Sequence, residues 1–159
     1  MVTRLPLEQE FLVRVQAPQQ MEESVTTNPK FRELLKDAKK KTVGFLSVLP
    51  NDIKVERVPT TGGVYKFQRK SRALYIGKAV NLRRRLRDHL SAEIQDTTSA
   101  FRRSIHTNPE LGIAYGKEMH NWILKNCRYS FYEIDSADMR ALVEALTITF
   151  KRHPGLLNK

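Results

Sequence analysis

The sequence predicts an α+β domain: a small, mainly antiparallel sheet with helices packed on it. Three observations point there. Residues 62–77, GGVYKFQRKSRALYIG, hold two apolar-aromatic runs split by Gln68-Arg69-Lys70-Ser71-Arg72, which reads as a β-hairpin with a basic tip. Residues 127–134 alternate as a further strand, with Tyr129, Phe131 and Glu133 against Arg128, Ser130, Tyr132 and Ile134. The remaining segments carry apolar residues at helical spacing.

In chain order, residues 1 to about 27 read as a loosely ordered arm or small cap, with Leu7, Phe11 and Val13 as its apolar points. Asn28-Pro29 starts a helix, Pro taking the first helical position. Phe31, Leu34, Leu35 and Ala38 give its stripe, and Lys39-Lys40-Lys41 closes it at the negative end of the helix dipole. Leu46 to Pro50 is a connector. Ile53, Val55 and Val58 alternate partly with charged residues, an edge strand before Pro59. Turn chemistry at Thr60-Thr61-Gly62-Gly63 feeds the hairpin. A turn centred on Lys70 without a bulge would make Tyr65 and Tyr75 direct cross-strand partners on one face.

Asn81 is a good N-cap for a helix whose buried stripe is Leu82, Leu86 and Leu90. Arg85 and His89 lie along one edge of that stripe, while Arg83, Arg84 and Arg87 point further round, toward solvent. Thr98 or Ser99 caps a short helix through Phe101 and Ile105, broken at Asn108-Pro109. A helix over 116–125 buries Met119, Trp122 and Ile123, with Trp122 a core residue rather than a base-stacking platform. Ser136 caps the last helix, whose stripe is Met139, Leu142, Val143, Leu146 and Phe150.

The chain has 159 residues, enough for one core, and a formal net charge of +11. Lys66, Arg69, Lys70, Arg72, Lys78, Arg83, Arg84, Arg85 and Arg87 occur with no acid among them before Asp88. That clustering beside the tyrosine hairpin reads as a phosphate-binding face and predicts a nucleic-acid partner. Cys127 is the single cysteine, which excludes an intramolecular disulfide and a Cys-rich zinc site. It reads as a small core residue in a reducing, cytoplasmic compartment. No apolar leader and no run long enough to span a bilayer is present, so no membrane role is expected.

Gly63-Val64-Tyr65, Tyr75-Ile76-Gly77-Lys78 and Asn81-Leu82-Arg83-Arg84-Arg85-Leu86 together resemble the GIY-YIG nuclease family, as a stand-alone bacterial or phage-type member. The resemblance spans roughly residues 60 to 158. It implies a GIY-YIG-like fold and a metal-dependent DNA endonuclease. Residues 51–159 would form the nuclease domain, with an insertion around 91–126. Residues 1–50 would form an N-terminal arm and helix that packs on the core or contacts DNA. The implied catalytic set is Tyr65, Tyr75, Lys78, Arg85, His89 and Glu144, with Asn158 a further candidate in Pro154…Asn158. Glu144 would hold a magnesium (or manganese) ion. Magnesium keeps most of its waters, so one carboxylate plus a substrate phosphate suffices.

A phenol is a weak base near neutral pH, and Lys78, Arg85 and the ion would favour its phenolate. Tyr65 is the expected general base. Tyr75, Lys78 and His89 would position water or share the proton, and Arg85 would clamp the phosphate. Lys66, Arg69, Lys70, Arg72, Arg83, Arg84 and Arg87 form the expected DNA-binding set. Periodicity alone reads Glu144 as a solvated glutamate paired with Arg140 or Lys151, and each tyrosine as a strand residue burying its ring. His106, His120 and His153 show no ligand spacing. A catalytically silent DNA- or RNA-binding module of the same fold stays open. One site would nick; a double-strand cut calls for a homodimer.

Overall fold

The computed structural model describes residues 28–93 and 99–158. The arm expected over residues 1 to about 27 lies outside the described residues. The chain divides into two compact units, residues 1–37 and 38–159. In the first, the described residues begin helix α1 (Pro29–Ser47). Asn28 opens it, its Oδ1 accepting from Lys30 N–H at 3.0 Å.

The second unit continues α1 and adds strands β1 (Gly63–Arg69), β2 (Arg72–Ala79) and β3 (Arg128–Glu133), with helices α2 (Leu82–His89), α3 (Ala100–Thr107), α4 (Lys117–Asn126) and α5 (Ala137–Lys151). The strands make one antiparallel sheet in the order β2-β1-β3. The α+β architecture of a small antiparallel sheet with flanking helices is thus the one observed.

Each face of the sheet carries its own core. Tyr65, Phe67 and Tyr129 join Leu82 and Leu86 of α2, Phe101 and Ile105 of α3, and Met119 and Ile123 of α4. Val64 and Ile76 on the opposite face join Ala38 and Phe45 of α1 and Met139 and Val143 of α5. Period-two alternation within a strand produces this division. Cys127 is buried and free, and burial pushes its thiol up to about 12. That fits a core residue, not a nucleophile. No helix among the described residues is long and apolar enough to cross a membrane.

Four local expectations need correction. α1 does not close at the lysine run; it continues to Ser47 because Thr42 and Phe45 still face the core. Residues 53–58 form no strand. Only Asn51 pairs with Tyr129, by reciprocal main-chain bonds of 2.9 Å, and Val55–Arg57 is a short 3-10 turn.

The hairpin register also differs. Lys70 and Ser71 make a two-residue turn, with Lys70 at φ 56° and Arg69 paired to Arg72. Carried on without interruption, that register would set Tyr65 opposite Ile76 and put Tyr65 and Tyr75 on opposite faces. A register shift between Phe67 and Gln68 restores the shared face: Phe67 pairs with Tyr75, and Tyr65 with Gly77. The tyrosines are therefore diagonal neighbours, with ring centroids 6.4 Å apart.

Finally, the buried face of α5 is Met139, Arg140, Val143 and Thr147, while Phe150 is 70% exposed. The polar members are satisfied. Arg140 donates to Ile134 O and Asp135 O at 2.9 and 2.7 Å, and Thr147 Oγ1 donates to Val143 O at 2.6 Å. Hydrophobicity alone finds Met139 and Val143, with Leu142 and Leu146 packed against the same core, but wrongly adds Phe150 and misses Arg140 and Thr147, because the carbonyls that receive Arg140 lie before the helix.

Candidate active site

The chain pins α2 against the hairpin. Asn81 Oδ1 accepts from Arg84 N–H at 2.8 Å, while Leu82 N–H and Arg83 N–H donate to Thr61 O and Pro59 O at 2.9 and 3.0 Å. The helix start is thereby tied to the turn that begins β1, and its buried leucines fix its rotation. His89, 1% exposed, then falls against the sheet.

Tyr65 Oη lies 2.7 Å from His89 Nε2, and His89 Nδ1 lies 2.7 Å from Ser99 Oγ. Ser99 also caps α3, its Oγ accepting from Arg102 N–H at 3.2 Å. The sequence offered Thr98 or Ser99 as the cap; the bond of Ser99 to His89 had no signal there, because the two residues share no helical or strand spacing.

Gly77 explains its own place in the motif. A Cβ on it would stand 2.5 Å from Tyr65 Oη, so only glycine leaves the phenol room to lie across β2. Tyr75, partly buried, completes the aromatic wall, 6.1 Å from His89 and 5.1 Å from Phe101 by ring centroids. Burial pushes the Tyr65 phenol well above its ordinary value; the neighbouring Tyr75 adds to that and the Arg85 charge opposes it. Tyr75 is raised chiefly by burial and next by Glu144, with Arg85 and Arg103 opposing.

Lys78 projects from the other side of β2, where α5 packs, and its ammonium donates to Glu144 Oε2. The Glu144 side chain is 19% exposed, so it turns toward the sheet rather than to water. The pairing expected with Arg140 or Lys151 is replaced by Lys78, Arg140 being held by carbonyls. Arg85 is half-exposed and 3.8 Å from Asp88. Asn158 clasps the edge of β2: Ile76 N–H donates to its Oδ1 at 2.8 Å, and its Nδ2 donates to Ile76 O at 2.6 Å. Leu157 N–H donates to Leu74 O beside it, at 2.8 Å. The last residues thus brace the strand that carries Tyr75 and Gly77.

The basic set divides. Lys70, Arg72, Arg84 and Arg87 are exposed. Arg69 lies over the half-buried Trp122, 5.4 Å from the ring centroid. Two members depart from the expected phosphate-facing surface. Lys66 is 3% exposed, and its ammonium donates to Phe45 O and Leu46 O at 3.4 Å, closing the C-terminal end of α1. Arg83, expected to point to solvent, donates through Nε to Val58 O at 2.6 Å. His106, His120 and His153 each bond a main-chain carbonyl, at 3.0, 2.5 and 2.8 Å.

Among the described residues no group of three or more His, Cys, Asp or Glu is gathered for a metal. The donor set nonetheless suits one hard cation. A single carboxylate, Glu144, already holds a cationic group, the Lys78 ammonium, and its charge reaches both tyrosines. Magnesium, which retains its waters, needs no more from protein.

Two phenols and an imidazole thus lie within the field of Arg85, and a carboxylate stands on the last helix. The segment that carries the tyrosine motifs is similar to a known family: residues 61–111 match the family model described as the UvrC-like GIY-YIG domain. The UvrABC system protein C of Borrelia hermsii is 40% identical over 53 residues, 33% of this chain and 9% of that protein. The match thus spans a small part of that relative's length. The N-terminal GIY-YIG endonuclease domain of UvrC from Thermotoga maritima, bound to its catalytic magnesium, is similar with a TM-score of 0.44 and 24% identity, covering 67% of this chain and 92% of that one. A point mutant of the same domain, bound to its catalytic divalent cation, gives a TM-score of 0.44 and 24% identity over 66% and 90% of the two chains.

Proposed function

We propose that this chain is a metal-dependent endonuclease that hydrolyses DNA phosphodiester bonds. The observation that carries the reading is the buried line Tyr65 Oη, His89 Nε2, His89 Nδ1, Ser99 Oγ, with 2.7 Å at both hydrogen bonds. It supplies a proton path that a tyrosine packed only for its ring would not need. A free phenolate is costly in this site, since burial favours the phenol. The cost is avoided if the transfers are concerted. The attacking water gives its proton to Tyr65 Oη as Tyr65 gives its own to neutral His89 Nε2; hydroxide adds to phosphorus and the 3′ oxygen departs. In that tautomer His89 Nδ1–H donates to Ser99 Oγ. Transfer to a positioned base of this kind contributes roughly 10²–10⁴-fold.

Arg85 holds the scissile phosphate, and Tyr75 and Lys78 order the water and the phosphate oxygens. Glu144 would hold magnesium or manganese, which when bound neutralises charge on the phosphate and the departing oxygen. Lys70, Arg72, Arg84 and Arg87 supply sequence-independent attraction to the DNA backbone.

One observation favours a second reading, a catalytically silent nucleic-acid-binding module: Tyr65 is 2% exposed. Single-turnover nicking of supercoiled plasmid separates the two. The nuclease reading expects magnesium-dependent nicking that Glu144→Ala lowers at least about 100-fold with DNA affinity retained. Equal nicking by Glu144→Ala would overturn the role of Glu144. Plasmid binding without any nicking would favour the silent module.

A further inference from the structure

β3 is an edge strand of the sheet. Tyr129 gives its N–H and C=O to Asn51 on the outer edge, each bond 2.9 Å long. Main-chain groups alternate in direction along an antiparallel strand, so Phe131, two residues on, turns its own N–H and C=O to the same edge. Among the described residues no main-chain group outside the sheet meets them. A cleft of about 520 Å³ is lined here by residues 129–131 of β3 and by residues between 48 and 58, a size within the roughly 300–1,000 Å³ range of small-molecule sites. Its walls are set by the fold: Val58 is 2% exposed, and Arg83 donates to Val58 O and Glu56 O at 2.6 and 3.3 Å. Lys54 and Arg57, both exposed, bring two positive charges to it. Asp52 is the one carboxylate among its lining residues, and Arg128 Nε lies on it at 3.0 Å. Phe131 is only partly buried and adds an aromatic ring to the wall. Tyr129 and Ser130 also carry hydroxyls that are buried with no hydrogen-bond partner among the described residues, polar capacity beside the cleft that the fold leaves unused.

We infer that this cleft binds one unpaired nucleotide, with its phosphate on Lys54 and Arg57 and its base against Phe131, whose main-chain N–H and C=O meet the base edge. The two cations call for an anion. Inorganic phosphate would leave the aromatic and apolar wall unused. An added peptide strand needs a run of open edge, and Asn51 closes that edge at Tyr129. A base brings a flat face for the ring and adjacent donors and acceptors for the main chain. Tyr65 pairs with Phe131 across β1 and β3, so the cleft opens one strand away from the proposed general base. The inference goes beyond the nuclease reading and stands without it, since none of the lining residues belongs to the proposed catalytic set. The same chemistry is offered by a free nucleotide and by an unpaired nucleotide of a DNA strand, and the probes below separate the two.

The test is an amide-resolved NMR titration of the full chain in EDTA, where cleavage plays no part, with dAMP, a short single-stranded oligodeoxynucleotide, ribose 5-phosphate and inorganic phosphate. Nucleotide should shift the Phe131 and Asn51 amides. Ribose 5-phosphate, which lacks the base, should bind roughly ten-fold or more weakly than dAMP. Lys54→Ala/Arg57→Ala should weaken nucleotide binding roughly ten-fold or more. Its circular dichroism melt should match the parent, because both side chains are exposed. Saturation by dAMP marks a free nucleotide as the source. Shifts from the oligonucleotide, lost in Lys54→Ala/Arg57→Ala and absent with dAMP, mark the DNA strand. Either result bears out the site. Equal binding of inorganic phosphate and dAMP would reduce the cleft to a small-anion site and overturn the inference. Phe131 and Asn51 amides unmoved by both nucleotide probes would overturn it as well, while plasmid nicking by the same preparation would leave the nuclease reading intact.

Discussion

Tyr65 serves as a core residue and, on the proposed reading, as a base. It is 2% exposed, stacks on Tyr129 with ring centroids 5.8 Å apart, and still places its hydroxyl on His89. Gly77 makes this arrangement sterically allowed, so Gly77→Ala should destabilise by about 1–3 kcal/mol through overpacking and depress nicking further than stability alone explains. Chemical denaturation and plasmid assays on the same preparation check both. The Lys78–Glu144 pair gives a second residue-scale prediction. Lys78 occupies the carboxylate that the ion would take, so Lys78→Met should tighten magnesium binding a few-fold, the scale of an exposed pair, while Glu144→Gln should abolish it; titration calorimetry reads both. The motif made Tyr65, Tyr75 and Arg85 legible as candidates. It could not show Glu144 facing the sheet, because that depends on Arg140 being captured by Ile134 O and Asp135 O, loop atoms that no helical periodicity encodes.

At the scale of elements, the site is an assembly of ends: the start of α2, the cap of α3, the edge of β2 and the middle of α5. The C-terminal segment completes it by giving β2 a side-chain partner at Ile76. Asn158→Ala should leave that peptide unpaired and cost about 1–3 kcal/mol. The Ile76 amide should lose protection in hydrogen exchange before the β1–β3 amides do. Unchanged protection would show that Asn158 does not brace the edge. The hairpin was plain in the sequence, because two apolar-aromatic runs flank a short polar turn. Its register was not. A two-residue turn and a bulge together set which residues face each other, and a bulge leaves no composition mark of its own. The strand expected over 53–58 failed for a related reason: alternation there serves a connector whose one backbone bridge to β3 among the described residues is at Asn51.

On the scale of the whole molecule, the sheet divides labour between its faces. One buries the phenol–imidazole line under α2 and α3, and the other brings Lys78 against Glu144 on α5. The cluster of buried phenols has a consequence for stability. Burial raises Tyr65, Tyr75 and Tyr129 above their unfolded values near 10, so the folded chain holds these protons where the unfolded chain releases them. Their contribution is complete below about pH 10 and declines as pH rises above it. Denaturant midpoints should fall steeply in alkali. Tyr129→Phe should flatten that fall at little cost near neutrality, since Tyr129 Oη has no hydrogen-bond partner among the described residues.

The central claim, that Tyr65 passes a water proton to His89, is met most directly by single-turnover plasmid nicking with magnesium, comparing the parent with Tyr65→Phe. The account predicts a loss of at least about 100-fold with unchanged DNA affinity and an unchanged melting transition. Nicking by Tyr65→Phe at the parental rate would contradict it.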